Sequence, residues 1–169
     1  DGNKADASPY VWSKSNNTRL IKNMGNWYDV KFAITYFYNV YGPREISDGD
    51  YATLIALFEK KMQLGQPLSI VAPGTQKRNF THVDDICDGL LLIGLHGEGD
   101  GFGIGSDKAY SVLEIAQLFG GKVEMLPERR GNRMTADLVT QKTLELGWSP
   151  KRNLKDYIAS LHGKRGSLK

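Results

Sequence analysis

The sequence predicts an α/β fold, and three observations predict it. Apolar runs rich in β-branched and aromatic residues alternate with segments whose apolar residues recur at helical spacing. One run, Val30 to Tyr38, is almost continuously apolar, as expected of a parallel strand buried on both faces. Turn signals at Gly42-Pro43 and Pro73-Gly74 separate the segments. Strands alternating with helices are the pattern of a sheet covered by helices.

The first helix is expected from Pro9 to about Gly25, ended by Gly25 or Asn26. Ser8 suits its N-cap, and Pro9 suits the first helical position, where the missing N–H costs nothing. Tyr10 and Lys14 stand four residues apart on it, which places them on one face. A phenol is a poor base at neutral pH, and an ammonium one turn away favours its phenolate form. Tyr10 is therefore a candidate to take a proton from an alcohol, although a Tyr-x-x-x-Lys pair alone recurs by chance in many helices.

The strand from Val30 to Tyr38 follows, then a helix from Tyr51 to Leu64 with Leu54, Leu57, Phe58 and Met62 at helical spacing, closed by Gly65. Leu68 to Val71 reads as a short strand, Phe80 to Val83 as extended, and Val83 to Leu95 as a helix carrying Ile86, Leu90, Leu91 and Ile93. Beyond a glycine-rich stretch, Phe102 and Ile104 mark a strand. Ser111 and Glu114 form a capping box for a helix through Phe119. Lys122 to Leu126 is expected as a strand, and Thr140 to Leu146 and Leu154 to Leu161 as helices. The tail from Gly163 to Lys169 is expected to fray.

At 169 residues, with 40% hydrophobic and 24% charged residues, the composition is that of an ordinary globular protein. The net charge of +3 is dispersed, which argues against nucleic-acid binding but leaves room for a small anionic ligand. One cysteine, Cys87, excludes an internal disulfide and fits a reducing cytoplasm. Neither a signal peptide nor an apolar run of about 18 residues is present, so secretion and membrane spanning are not expected. Cys87 is placed in the core, and Trp27 and Trp148 are read as packing residues. His82 is read as structural, and Asp84 and Asp85 as carboxylates suited to a helix N-terminus. No His/Cys cluster has metal-ligand spacing, so no metal is expected.

Four stretches, in order, carry a resemblance. They are Ser8-Pro9-Tyr10-Val11-Trp12-Ser13-Lys14; Tyr36-Phe37-Tyr38-Asn39-Val40-Tyr41-Gly42-Pro43-Arg44; Gln76-Lys77-Arg78-Asn79-Phe80-Thr81-His82-Val83-Asp84-Asp85; and Pro127-Glu128-Arg129-Arg130-Gly131-Asn132, with Ala136-Asp137 and Leu146-Gly147-Trp148 behind it. Together they resemble the C-terminal half of an extended short-chain dehydrogenase/reductase of the NAD-dependent nucleotide-sugar epimerase/dehydratase group. The resemblance implies the distal part of a Rossmann-like NAD(P)-binding fold over 1–64 and, over 65–162, mainly a small substrate-binding α/β domain with short segments returning to the Rossmann domain. It also implies that the N-terminal glycine-rich half is missing, because no G-x-G-x-x-G follows a strand here, and that the chain is a piece inactive alone.

The resemblance further implies a UDP-sugar 4-epimerase working through a 4-keto sugar; a 4,6-dehydratase and a non-catalytic nucleotide-sugar binding module are the alternatives. Tyr10 and Lys14 take the catalytic roles and, with Phe37, face NAD. Asn39 binds the substrate's diphosphate or sugar, and Arg78 and Arg129 grip the diphosphate, with Arg130 nearly tied with Arg129. The plain alternative for each arginine is a solvent-facing ion pair. A cytoplasmic homodimer is implied, with Leu20, Ile21, Met24, Tyr51, Leu54 and Phe58 as its apolar seam. Departures from the family pattern are Tyr36 in place of an arginine, Asn79 in place of an aspartate, Gly103 in place of an asparagine, and Asn132 closing the last motif.

Overall fold

The computed structural model describes residues 8–49, 51–128 and 138–163. The first element, α1 (Pro9–Tyr28), starts as its sequence dictates: Ser8 Oγ accepts the N–H of Val11 at 3.2 Å and Pro9 opens the helix. It runs past Gly25 and ends at Asp29, which takes the left-handed conformation at φ 53°. Gly25 stays helical for packing. A Cβ there would lie 2.5 Å from the ring of Phe32, so the glycine lets the following segment fold back onto the helix.

β1 (Ala33–Phe37) pairs in parallel with β6 (Gly99–Ile104), with an irregularity between Ala33 and Thr35. The expected strand is shorter than the apolar run and only half-buried, since it has one hydrogen-bonded neighbour among the described residues. A two-residue β2 (Val40–Tyr41) runs parallel to β5 (Thr81–His82). β3 (Leu68–Val71) pairs in parallel with β8 (Val123–Leu126), and β4 (Lys77–Asn79) pairs antiparallel with β7 (Ala109–Ser111). β2 is too short, and β4 and β7 carry too few apolar residues, to register as strands in the sequence.

The helices between these strands are α2 (Leu54–Gln63), α3 (Val83–His96), α4 (Val112–Phe119), α5 (Gln141–Glu145) and α6 (Leu154–Gly163). α4 is bounded as its capping box requires: Ser111 Oγ accepts from Glu114 N at 3.1 Å and Glu114 Oε2 accepts from Ser111 N at 2.6 Å. Its buried Val112, Ile115, Ala116 and Phe119 fall on one face at 3.6-residue spacing.

Two apolar clusters hold the molecule. The larger joins α2, β3, α4 and α6 through residues such as Phe58, Ile70, Phe119 and Ile158, with the Phe58 and Phe119 rings edge to face at 5.8 Å. The smaller gathers Ile86 and Ile93 of α3, Phe102 and Ile104 of β6, and Trp148. α3 is apolar almost all round, yet only the Asp85, Ile86, Gly89 and Ile93 face is buried. Cys87, expected in the core, is exposed on the other side with Leu91 and Leu95.

The two tryptophans diverge. Trp148 is buried and its Nε1 donates to the Asp85 carbonyl at 2.9 Å, whereas Trp27 is exposed because α1 buries none of its residues. Gly103 marks the tightest backbone approach: a Cβ there would fall 1.9 Å from the Val139 carbonyl oxygen. Gly103→Ala is expected to displace the Leu138–Thr140 segment and cost ~2 kcal/mol in a denaturant melt. This crowding accounts for glycine where the resembling family carries asparagine.

Candidate functional site

Tyr10 and Lys14 lie on one solvent-facing flank of α1. Tyr10 is 69% exposed, and the Lys14 ammonium sits over its ring, 5.7 Å from the centroid. Ser13, Asn16 and Thr18 bond back to carbonyls of their own helix, to Tyr10, Trp12 and Lys14 respectively, so the polar face is satisfied locally. The helix is anchored at its far end. Lys22 pairs with Asp100 at 2.5 Å, and Gly25 rests on Phe32.

Tyr36 donates to the same Asp100 at 2.8 Å, and Lys142 donates to its carbonyl at 2.7 Å. Burial, helped by this carboxylate acceptor, pushes the Tyr36 phenol up to about 12, so it remains a donor. The tyrosine found where the resembling family has arginine thus ties β1 to β6.

A cavity of about 810 Å³ lies beyond the C-terminal end of β1. The turn after the strand contributes Asn39 and Val40, the start of α2 contributes Thr53, Leu54 and Ile55, and β3 contributes Ser69 and Val71. Gln76, Arg78 and Phe80 close the side formed around β4. Most of this lining is apolar with a few polar groups, the usual make-up of a small-molecule site.

Asn39 follows a strand that is half-buried where full burial was expected. It is exposed in the turn between β1 and β2, at φ 35°, and its Nδ2 donates to the Asn79 carbonyl at 2.9 Å. Asn79 is buried and its own Nδ2 donates to the carbonyls of Ser106 and Asp107 at 2.9 and 3.2 Å, which an aspartate has no hydrogen to do. Arg78 is half-buried on β4 and bonds the Lys77 carbonyl at 2.8 Å.

Asn39 and Arg78 therefore share one cavity, while Tyr10 and Lys14 share a helix flank that does not line it. Phe37 is 49% exposed at the C-terminal end of β1. Arg129 and Arg130 lie outside the described residues. His82 is buried: its Nδ1 accepts the N–H of Asp84 at 3.1 Å as the cap of α3, and its ring stands edge to face with Tyr41 and Tyr157.

Sequence reasoning did not find Thr53 or Gln76, and it placed Asp85 at the start of a helix, where it stands, without finding its long-range partners. Thr53 and Gln76 line the cavity, and Asp85 reaches across to the C-terminal segment. Thr53 had a usable signal, a threonine directly before an apolar helical run; Gln76 had none.

The model of the NAD dependent epimerase/dehydratase family matches residues 1–105, more than half of the chain. The chain belongs to that family. A putative UDP-glucose 4-epimerase of Methanocaldococcus jannaschii is 32% identical over 157 residues, covering 89% of this chain and 51% of the relative. A dTDP-D-glucose 4,6-dehydratase of Mus musculus is 27% identical over 162 residues, covering 88% of this chain and 44% of the relative. The solved UDP-glucose 4-epimerase of Thermotoga maritima with UDP-glucose superposes with a TM-score of 0.86 at 27% identity, covering 96% of this chain and 55% of that one. This epimerase/dehydratase chain spans about half the length of the curated relatives it matches.

Among the described residues, no helix is long and apolar enough to cross a membrane. Of the expected dimer seam, Leu20, Ile21, Met24 and Tyr51 are exposed, but Phe58 is fully buried and Leu54 packs on the larger core cluster. Phe58 is unavailable because its side of α2 faces α4.

Proposed function

We propose that this chain carries the proton-transfer helix and the nucleotide-sugar cavity of an NAD-dependent epimerase acting at C4 of a UDP-sugar. The observation that carries the reading is the 810 Å³ cavity, apolar in most of its walls, with Asn39 and Arg78 together on its lining. Arginine's planar fork matches phosphate oxygens and keeps its charge, so Arg78 suits a diphosphate, with Arg129 as its partner in that role. The second amide hydrogen of Asn39 is suited to a phosphate or sugar oxygen.

The residues present fit the nicotinamide end of NAD. A phenol and an ammonium share one exposed flank, and Phe37 is exposed at the carboxyl end of a parallel strand, where ligands of open α/β sheets bind. When bound, NAD supplies a hydride acceptor that later returns the hydride. Tyr10 takes the proton of the C4 hydroxyl as the C4–H bonding pair departs, leaving a 4-keto sugar. Lys14, over the Tyr10 ring on the same flank, would hold the nicotinamide ribose. On the return step, with the sugar presenting its other face, Tyr10 would give the proton back to the C4 oxygen, so that the centre is inverted. Cytoplasmic location and pairing of two copies along α1, where Leu20, Ile21 and Met24 are exposed, belong to the same reading.

A 4,6-dehydratase shares this first oxidation, and the similarity to the mouse enzyme keeps it as the second reading. Proton NMR of the intact protein with UDP-glucose and NAD separates them. The C4 epimer of the substrate is the expected product, and a 4-keto-6-deoxy sugar would sink the epimerase reading.

A further inference from the structure

The strap from Gly42 to Asp48 separates two hollows. One is the 810 Å³ cavity, and the other is a groove of about 450 Å³ lined by Pro43, Arg44, Ser47, Lys60 and Tyr157. Glu45 borders both. Its Oε1 accepts the Gly42 N–H at 2.8 Å, its Oε2 accepts the Thr53 hydroxyl, and the carboxylate also accepts the backbone N–H of Ala56. Thr53 is the N-cap of α2, yet its side chain makes no capping bond; the hydroxyl donates to Glu45 instead.

The first turn of a helix leaves N–H groups without partners, and its positive dipole end favours a carboxylate. Glu45 meets both needs from outside the helix. Its burial pushes the carboxyl up, against the bonds from Thr53 and Gly42 that hold it down. A local cap at Thr53 would have closed α2 without that desolvation.

The strap is otherwise strained. Arg44 sits at φ 70°, in a region non-glycine residues rarely occupy, and Gly42 lies at φ 150°. Such turns persist where the surroundings over-determine them. Here the Thr53 N–H donates to the Ile46 carbonyl at 3.0 Å, and Lys60 pairs with Asp48.

We infer that Glu45 is a positioning residue for nucleotide binding: it clasps the strap to the first turn of α2 and so sets the cavity wall of Thr53, Leu54 and Ile55 against Asn39. The inference rests on the cavity being the nucleotide site. Glu45 acts through Thr53 and Ala56.

Calorimetric titration of the 169-residue chain with UDP tests it, using Glu45→Ala, Thr53→Val, the double variant and Glu45→Gln, each with its melting temperature. Glu45→Ala is expected to weaken UDP on the order of tenfold. Thr53→Val added to it should cost little more, because both act through one bond. Glu45→Gln keeps an acceptor for Gly42 and a donor for the Thr53 oxygen, so it should recover most of the affinity. Unchanged UDP affinity in Glu45→Ala overturns the inference. So do additive losses for Glu45→Ala and Thr53→Val, or no recovery in Glu45→Gln. If Glu45→Ala does not fold, Thr53→Val, which breaks the same clasp, decides alone: weakened UDP at an unchanged melting temperature supports the inference, and unchanged affinity overturns it. A wild-type chain that gives no UDP heat overturns the functional reading itself and this inference with it, whereas binding in wild type with indifferent variants overturns the inference alone.

Discussion

Replacing Asp85 by alanine is expected to destabilise the chain by about 3 kcal/mol, and by as much as ~5 kcal/mol if the neighbouring segment cannot relax. Asp85 is 1% exposed. Its Oδ2 accepts the backbone N–H groups of Lys151 and Arg152 at 3.1 and 3.0 Å, and its Oδ1 accepts from the Arg152 guanidinium at 2.7 Å. The Asp85 carbonyl takes the Trp148 indole N–H as well. One carboxylate thus fastens the segment leading into α6 onto the start of α3. Truncation strands two part-buried amide donors and leaves Arg152, among the described residues, with Asp84 at 3.3 Å as its salt-bridge partner. At roughly 3 °C per kcal/mol for a domain of this size, the melting temperature should fall by about 9 °C. Asp85→Asn should cost less, since the amide oxygen still accepts one of those bonds. Equal losses for alanine and asparagine would show that the charge and the second acceptor carry the whole effect and that the one retained oxygen contributes nothing.

The second large effect is on rate. In the intact protein, Tyr10→Phe is expected to lower kcat by about a thousandfold while KM moves little, because the phenol is assigned to proton transfer and not to grip. The ring, its packing and the Lys14 contact survive in phenylalanine, so folding is preserved. Lys14→Met should also lose rate, with a weakened response to cofactor concentration, because the ammonium is assigned to the nicotinamide ribose. An unchanged rate in Tyr10→Phe removes Tyr10 from the chemistry.

How much of this was legible in the residues depended on how local each signal was. The Ser111–Glu114 box and the strand Leu68–Val71 were readable because their determinants lie within a few positions. Helix α1 was cut short at Gly25 because glycine normally ends helices; here it makes room for Phe32, a contact seven residues on. Cys87 and Phe58 were misplaced for a shared reason. Both helices carry apolar residues on more than one side, and only tertiary packing selects the buried face. β4 was invisible, since Lys77, Arg78 and Asn79 carry no apolar alternation and owe their extended form to β7.

The site divides the same way. Tyr10 and Lys14 could be paired from helix geometry alone. That Asn39 and Arg78 share a cavity depends on the Asn39 amide reaching the Asn79 carbonyl, forty residues away. Glu45 and Asp85 had no local sign of their role, because the groups they serve are brought to them by the fold.

The measurement that tests the account most directly is a UDP titration of the isotope-labelled chain followed by amide NMR. The account predicts saturable shifts at Asn39, Thr53 to Ile55, Ser69 and Arg78, abolished by Arg78→Ala without loss of the folded spectrum. Shifts centred instead on the groove of Arg44, Lys60 and Tyr157, or none at all in a well-folded chain, would contradict it.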